Sequence, residues 1–168
     1  QCSAVDIDND GDLDLVWANG QGYSTQGTQL QMRVYVNNGS GVFADESATR
    51  AAGVVGWYRG VEAGDIDRDG DQDLILANDF NKRPQLLVNN GAGVFADQTV
   101  ARLPNLTMSS ARAQFGDVDN DGDLDLVFCN NGTTRFGSGQ PRMFRNNGNG
   151  IFTDATSDLP QGAIAEQM

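Results

Sequence analysis

Fifteen of the aspartates stand in three nine-residue runs: residues 6–14, 65–73 and 117–125 each read Asp-x-Asp-x-Asp-Gly-Asp-x-Asp. Side chains at positions 1, 3 and 5 of a tight loop converge on one point, and Gly at position 6 admits the positive φ of a sharp bend. Position 7 can present its backbone carbonyl, and position 9 closes the shell with a carboxylate. A shell built only of hard oxygens, in numbers suited to about six- to eightfold coordination, points to Ca2+. Mg2+ keeps more of its water, and Zn2+ would need His or Cys, which these loops lack. An EF-hand requires Glu at position 12; Trp17, Leu76 and Phe128 stand there instead. The remaining alternative, solvated charges on a plain Asp-Gly hairpin, leaves the threefold recurrence unexplained.

The charge balance follows the same pattern. The chain has 168 residues, 23 acidic and 11 basic, for a net charge of −12. The three runs hold fifteen of the acids and a single base, Arg68, so the rest of the chain is nearly neutral. Five carboxylates within nine residues repel one another unless something cationic sits among them. The acidity argues against a nucleic-acid partner, which needs a basic field to displace counterions. The absence of His excludes a Ser-His or Cys-His nucleophilic centre within this chain. No apolar run is long enough for a membrane-spanning helix.

The elements that must position these loops are strands. A second motif, Asn-Asn-Gly-x-Gly-x-Phe, recurs at residues 37–43, 89–95 and 146–152, always after an aspartate run. Each unit reads as four strands. The first leads into the aspartate loop (60–64, 112–116), and the second leaves it as an apolar run (13–18, 74–77, 124–129). The third follows (32–36, 85–88, 142–145), and a Gly-rich hairpin leads to the fourth, opening at Val42, Val94 or Ile151. The expected fold class is all-β: three four-stranded antiparallel β-propeller blades at about 1–49, 50–103 and 104–160, with 161–168 starting a further strand. A β-sandwich has no reason to repeat one loop and one turn in phase. Three blades are fewer than the roughly four to eight of a closed ring and leave two open sheet edges. Two expectations follow: further blades in a longer parent chain, or head-to-tail self-association of two copies.

The aspartate loop between two strands, the Phe115-Gly116 pair just before the third loop, and the Arg-Asn-Asn-Gly-x-Gly-x-Phe turn at 145–152 resemble FG-GAP/VCBS-type repeats. Related repeats build the integrin α-subunit propeller. The resemblance covers nearly the whole chain and implies a propeller whose first hairpin in each blade holds Ca2+. Carried over, the implied ligands are Asp6, Asp8, Asp10, Asp12 (carbonyl) and Asp14; Asp65, Asp67, Asp69, Asp71 (carbonyl) and Asp73; Asp117, Asp119, Asp121, Asp123 (carbonyl) and Asp125. The Phe-Gly pair is replaced by Ala63-Gly64 in the second unit and Ala4-Val5 in the first, a departure from the family pattern.

Strand parity puts the aspartate loops and the Asn-Asn-Gly turns on one rim. The opposite rim carries loops of variable length with Tyr23, Trp57, Tyr58, Phe80, Lys82, Arg83, Arg135 and Phe136. Aromatic and Arg side chains on variable loops above a rigid scaffold suit a protein or glycan ligand. Packing of Trp57 and Tyr58 between blades is the alternative. The expected function is a calcium-stabilised extracellular module for adhesion or recognition, not an enzyme, since weak loops of this type need the calcium found outside cells. A fragment of a propeller polysaccharide lyase and a purely structural segment of a large surface protein are the other readings. Cys2 and Cys129, on non-equivalent strands, are expected to be buried free thiols.

Overall fold

The computed structural model describes residues 1–21, 25–130 and 140–160. Fourteen strands appear among them. Blade 1 is a sheet of β1 (Cys2–Val5), β2 (Asp14–Trp17), β4 (Arg33–Asn37) and β5 (Phe43–Asp45), in that order. The short β3 (Leu30–Gln31) leaves this sheet and pairs with β6 (Val55–Gly56) of the link to the next blade. Blade 2 comprises β7 (Tyr58–Gly64), β8 (Asp73–Asn78), β9 (Gln85–Asn89) and β10 (Phe95–Asp97). Blade 3 comprises β11 (Ser110–Gly116), β12 (Asp125–Asn130), β13 (Arg142–Asn146) and β14 (Phe152–Asp154). Each blade is an antiparallel meander, and no sheet closes on itself. The fold is therefore all-β, with sheets of the propeller-blade type.

A third repeated motif ends each blade. In Phe-x-Asp-x-Ser/Thr, the aspartate Oδ1 accepts the backbone N–H two residues on: Asp45 from Ser47 (3.1 Å), Asp97 from Thr99 (2.9 Å) and Asp154 from Thr156 (2.9 Å). The hydroxyl then accepts an N–H of the third strand, at Val34, Leu86 and Met143 respectively. This bend starts a single helical turn: α1 (Ser47–Arg50), α2 (Thr99–Arg102) and a 3-10 turn at Thr156–Asp158. Helices this short depend on such side-chain anchoring, since one turn alone is unstable in water.

The blades stack face to face. Ile7, Val16 and Val34 of blade 1 pack against Leu74, Leu76, Leu87 and Phe95 of blade 2. Ile66, Ile75 and Leu86, on the other side of blade 2, pack against Leu126, Phe128, Phe144 and Phe152 of blade 3. Each such side chain, fully buried, contributes about 1.5–3 kcal/mol as an upper figure. Strand β8 is buried along its whole length, which is why residues 74–77 read as an unbroken apolar run: a blade covers each face. The first strands lie innermost, with β7 against both β1 and β11. At Gly60 a Cβ would stand 3.0 Å from the Ala111 carbonyl oxygen and 3.2 Å from the Arg112 Cα, so the close approach of β7 and β11 needs glycine there.

Two expectations change. The ends of this stack are sheet faces, not the open edges anticipated, because blades meet through their faces. Cys2 and Cys129 are free, as expected, but both are exposed; they lie on the two end blades, where no neighbour among the described residues covers them.

Candidate metal centre

The three aspartate loops share one backbone. Position 6 has positive φ in each (Gly11 91°, Gly70 93°, Gly122 89°), and so does position 4 (Asn9 61°, Arg68 63°, Asn120 64°). Two left-handed residues flanking position 5 fold the loop tightly enough for its odd positions to face inward. Three internal bonds recur as well. The position 6 N–H donates to the position 1 carboxylate, at 3.0 Å in Asp6, Asp65 and Asp117. The position 7 N–H donates to position 5: Asp10 and Asp69 accept at 2.9 Å, Asp121 at 2.8 Å. Position 9 is fully buried in all three loops and accepts two backbone N–H groups. Asp14 takes Ile7 (3.1 Å) and Asn37 (2.8 Å), Asp73 takes Ile66 (3.3 Å) and Asn89 (2.8 Å), and Asp125 takes Val118 (3.1 Å) and Asn146 (2.9 Å). Position 9 thus ties the loop to the start of the Asn-Asn-Gly turn.

Within each loop three carboxylate oxygens lie within 4.8 Å of one another: those of Asp6, Asp8 and Asp10; of Asp65, Asp67 and Asp73; and of Asp117, Asp119 and Asp125. Oxygens held at about 2.3–2.6 Å by one Ca2+ can be at most about 5 Å apart, so the spacing fits. The first and second loops add a sharper sign: Oδ1 of Asp6, Asp8, Asp65 and Asp67 is buried and meets no donor. A buried carboxylate oxygen without a partner is strongly unfavourable unless a cation supplies the missing charge. Burial, with Asp14 and Asp10 close by, holds the Asp8 carboxyl above the usual range, against the pull of Arg50. Burial likewise pushes Asp73 up to about 7, against its two backbone N–H donors, with Asp67 and Asp69 adding to the rise. These are environments short of positive charge.

The loops are also wired to their neighbours. Asn89 Nδ2 donates to the Ile7 carbonyl of the preceding blade's loop (2.8 Å), and Asn146 Nδ2 to the Ile66 carbonyl (2.7 Å). Position 4 of one loop meets position 7 of the next: Asn9 Nδ2 donates to Asp71 (2.8 Å), and Arg68 pairs with Asp123 (2.5 Å). Arg50, at the end of α1, pairs with Asp8 (3.0 Å) and donates to the Ala92 carbonyl of the next turn. Arg102 repeats this with Asp67 (2.9 Å) and the Asn149 carbonyl (3.0 Å). In blade 3 the equivalent position is Leu159, and Arg145 stands by Asp119 instead (3.5 Å).

The sequence profile of the FG-GAP-like repeat family matches residues 6–76 and 65–128. The chain belongs to that family. Comparison with curated proteins finds no match. FG-GAP-like repeats are generally non-catalytic and typical of extracellular proteins. Among the described residues no helix is long and apolar enough to cross a membrane.

Of the FG-GAP loop residues expected as ligands, positions 1 and 3 join the cluster in every loop, position 5 in the first, and position 9 in the second and third. Position 7 was expected to contribute its carbonyl; its side chain has a further role in Asp71 and Asp123, where it bridges to the preceding loop. On the opposite rim, Trp57, Lys82 and Arg83 line an open pocket of about 300 Å³ with Gln85 and Asp97. Lys82 Nζ lies 5.4 Å from the Trp57 ring centroid. Arg83 donates to the carbonyls of Thr99 (3.1 Å) and Leu103 (2.6 Å), so part of its work is to hold α2. Tyr58 and Phe80, expected on the rim, are buried. The Tyr58 hydroxyl hydrogen-bonds Gln85, and burial raises its pKa; Phe80 packs edge-on to Trp57. Both present apolar rings to neighbouring elements, which explains their placement inside. Tyr23, Arg135 and Phe136 lie outside the described residues.

Proposed function

We propose that the chain is a calcium-stabilised recognition module that works outside the cell, with one Ca2+ in each aspartate loop. The observation that carries this reading is the set of buried, unpartnered carboxylate oxygens in the first two loops, each within a three-carboxylate cluster. The donor set is all hard oxygen and suits Ca2+ over softer metals. Asp6, Asp8 and Asp10, Asp65, Asp67 and Asp73, and Asp117, Asp119 and Asp125 would hold the ions. The charge an ion brings removes the repulsion inside each loop. The residues themselves fix the hairpin: position 9 pins the loop to the following turn, and the left-handed residues at positions 4 and 6 set its curvature. Adhesion or recognition of a protein or glycan falls to the opposite rim, where Trp57 offers an aromatic wall beside Lys82 and Arg83.

Calorimetric titration of the chelator-treated protein with Ca2+ tests the metal reading. Three sites, with weak affinity on the order of 10⁻⁴–10⁻³ M, are expected. Absence of binding at millimolar Ca2+ overturns it. For the rim, binding to glycan and protein panels should be lost in Trp57→Ala with Ca2+ binding unchanged.

A further inference from the structure

The two internal joints between blades follow one rule, and each end blade carries an unused half of that rule. On the leading side of a blade, facing the previous one, four apolar positions close the joint. They are Leu74, Leu76, Leu87 and Phe95 in blade 2, and Leu126, Phe128, Phe144 and Phe152 in blade 3, all buried. The equivalent positions in blade 1 are Leu15, Trp17, Tyr35 and Phe43. They keep the apolar character but not the cover: Phe43 is 42% exposed, against 7% for Phe95 and 4% for Phe152, and Trp17 is 49% exposed. The polar half is idle too. Asn37 Nδ2 donates to Leu13 of its own loop (3.1 Å) as Asn89 and Asn146 do to theirs, yet among the described residues its second N–H meets no carbonyl of another loop. Among the described residues Asp12 lacks the position 4 partner that Asp71 and Asp123 have.

On the trailing side of a blade, the position 2 residue of the loop plugs into the next blade. Ile7 is 0% and Ile66 1% exposed, whereas Val118 is 43% exposed. Beside it Val127, at the place of the buried Val16 and Ile75, is half-buried, whereas Met143, at the place of Val34 and Leu86, is buried as they are. Asn120, the equivalent of Asn9 and Arg68, stands at the rim of this face with the same left-handed backbone.

One chain therefore carries both complementary halves of a joint it already makes twice. We propose that the outer face of blade 3 receives the outer face of blade 1 of a second copy. In that contact Val118 inserts beside Phe43 and Trp17, Asn37 donates to the Val118 carbonyl, and Asn120 donates to Asp12. The contact is head-to-tail, so each copy uses a different face. It lacks one element of the internal joints. Where Arg50 and Arg102 clasp the next turn, blade 3 has Leu159, so the joint between copies is weaker than those within a chain.

Sedimentation velocity over a concentration series, with Ca2+ present, tests the joint. The expected result is a reversible species of twice the chain's 18.0 kDa, or a ladder of multiples. Phe43→Arg and Val118→Arg should each weaken association by about tenfold or more. Each chain should keep its circular dichroism spectrum, because both positions are half-open in the single chain. An equimolar mixture of the two variants should recover association, since it restores one intact joint. Leu159→Arg should tighten association by returning the clasp to the Ser40 carbonyl of the other copy. A protein that stays monomeric at every concentration overturns the proposal. So does a Val118→Arg variant that associates as tightly as the parent, which would mean that like faces meet like.

Discussion

The loop at residues 65–73 and the loop at 117–125 have the same aspartates and the same backbone, yet they sit in different surroundings. The Asn-Asn-Gly turn of blade 3 roofs the former. Asn146 reaches its Ile66 carbonyl and Arg102 spans from Asp67 to Asn149. The latter has no roof among the described residues, and Asp117 and Asp119 are exposed. At loop positions 1 and 3 the unpartnered buried oxygens follow this division: they occur on Asp65 and Asp67, and on the equally roofed Asp6 and Asp8, but not on Asp117 and Asp119; in the third loop only Asp123 Oδ1 is buried without a hydrogen bond, and it faces the Arg68 guanidinium. The need for a cation is thus created by the neighbouring blade as much as by the loop. Water can screen an open cluster of carboxylates, but it cannot reach a covered one.

That comparison can be broken in several ways. The largest effect should come from removing calcium altogether. At about ten times Kd each site contributes roughly 1.4 kcal/mol, so three sites lower the melting temperature on chelation by about 10 °C. A melting temperature indifferent to chelator would dissolve the distinction between loops. Next, Asp67→Ala in calcium should cost about 3 kcal/mol, because it strands Arg102 in a covered site. Asp119→Ala should cost less than about 1 kcal/mol. Equal losses in denaturant melts would show that the roof is immaterial. The third test is pH. Asp73 titrates near 7 in the fold but near 3.8 when unfolded. Its protonated form is the one favoured by folding, so its contribution is full below pH 4 and is lost as pH rises through 7. Metal-free protein should therefore gain stability from this group on acidification from neutral pH, whereas calcium-loaded protein should lose it as protons displace the ion. The same sign in both states would argue against a shared site. Fourth, Arg102→Met should cost about 1–2 kcal/mol and weaken calcium binding at the second loop only. The smallest effect belongs to the far rim, where Trp57→Ala should shift stability by about 0.5 kcal/mol or less and leave all calcium binding intact.

Local chemistry was readable in the chain and through-space chemistry was not. The loop spacing, the glycine at position 6 and the strand on either side follow from residue types alone, and Gly11, Gly70 and Gly122 have the positive φ anticipated. The left-handed position 4 had a weak signal in Asn9 and Asn120, but Arg68 at the equivalent place masks it. The helical turns at Ser47–Arg50 and Thr99–Arg102 are too short to show a period. Their signal was the Phe-x-Asp-x-Ser/Thr motif, whose meaning lies in a hydroxyl bonded to a strand thirteen residues away. Nothing local marks Asn89 or Asn146 as hooks, because their partners Ile7 and Ile66 are 82 and 80 residues distant. The misplacement of Tyr58 and Phe80 on the rim has the same origin: an aromatic ring in a connecting segment looks alike whether it faces a ligand or another blade.

Blade 2 is flanked on both sides, and every residue of β8 is shielded. In an array whose stability is a sum of unit and nearest-neighbour terms, such a unit opens last, while the terminal units fray independently. Amide exchange should accordingly be slowest at the centre of the chain and fall away toward both ends, so that a destabilising change in β8 would uncouple the whole array where one in β1 or β14 would shorten it.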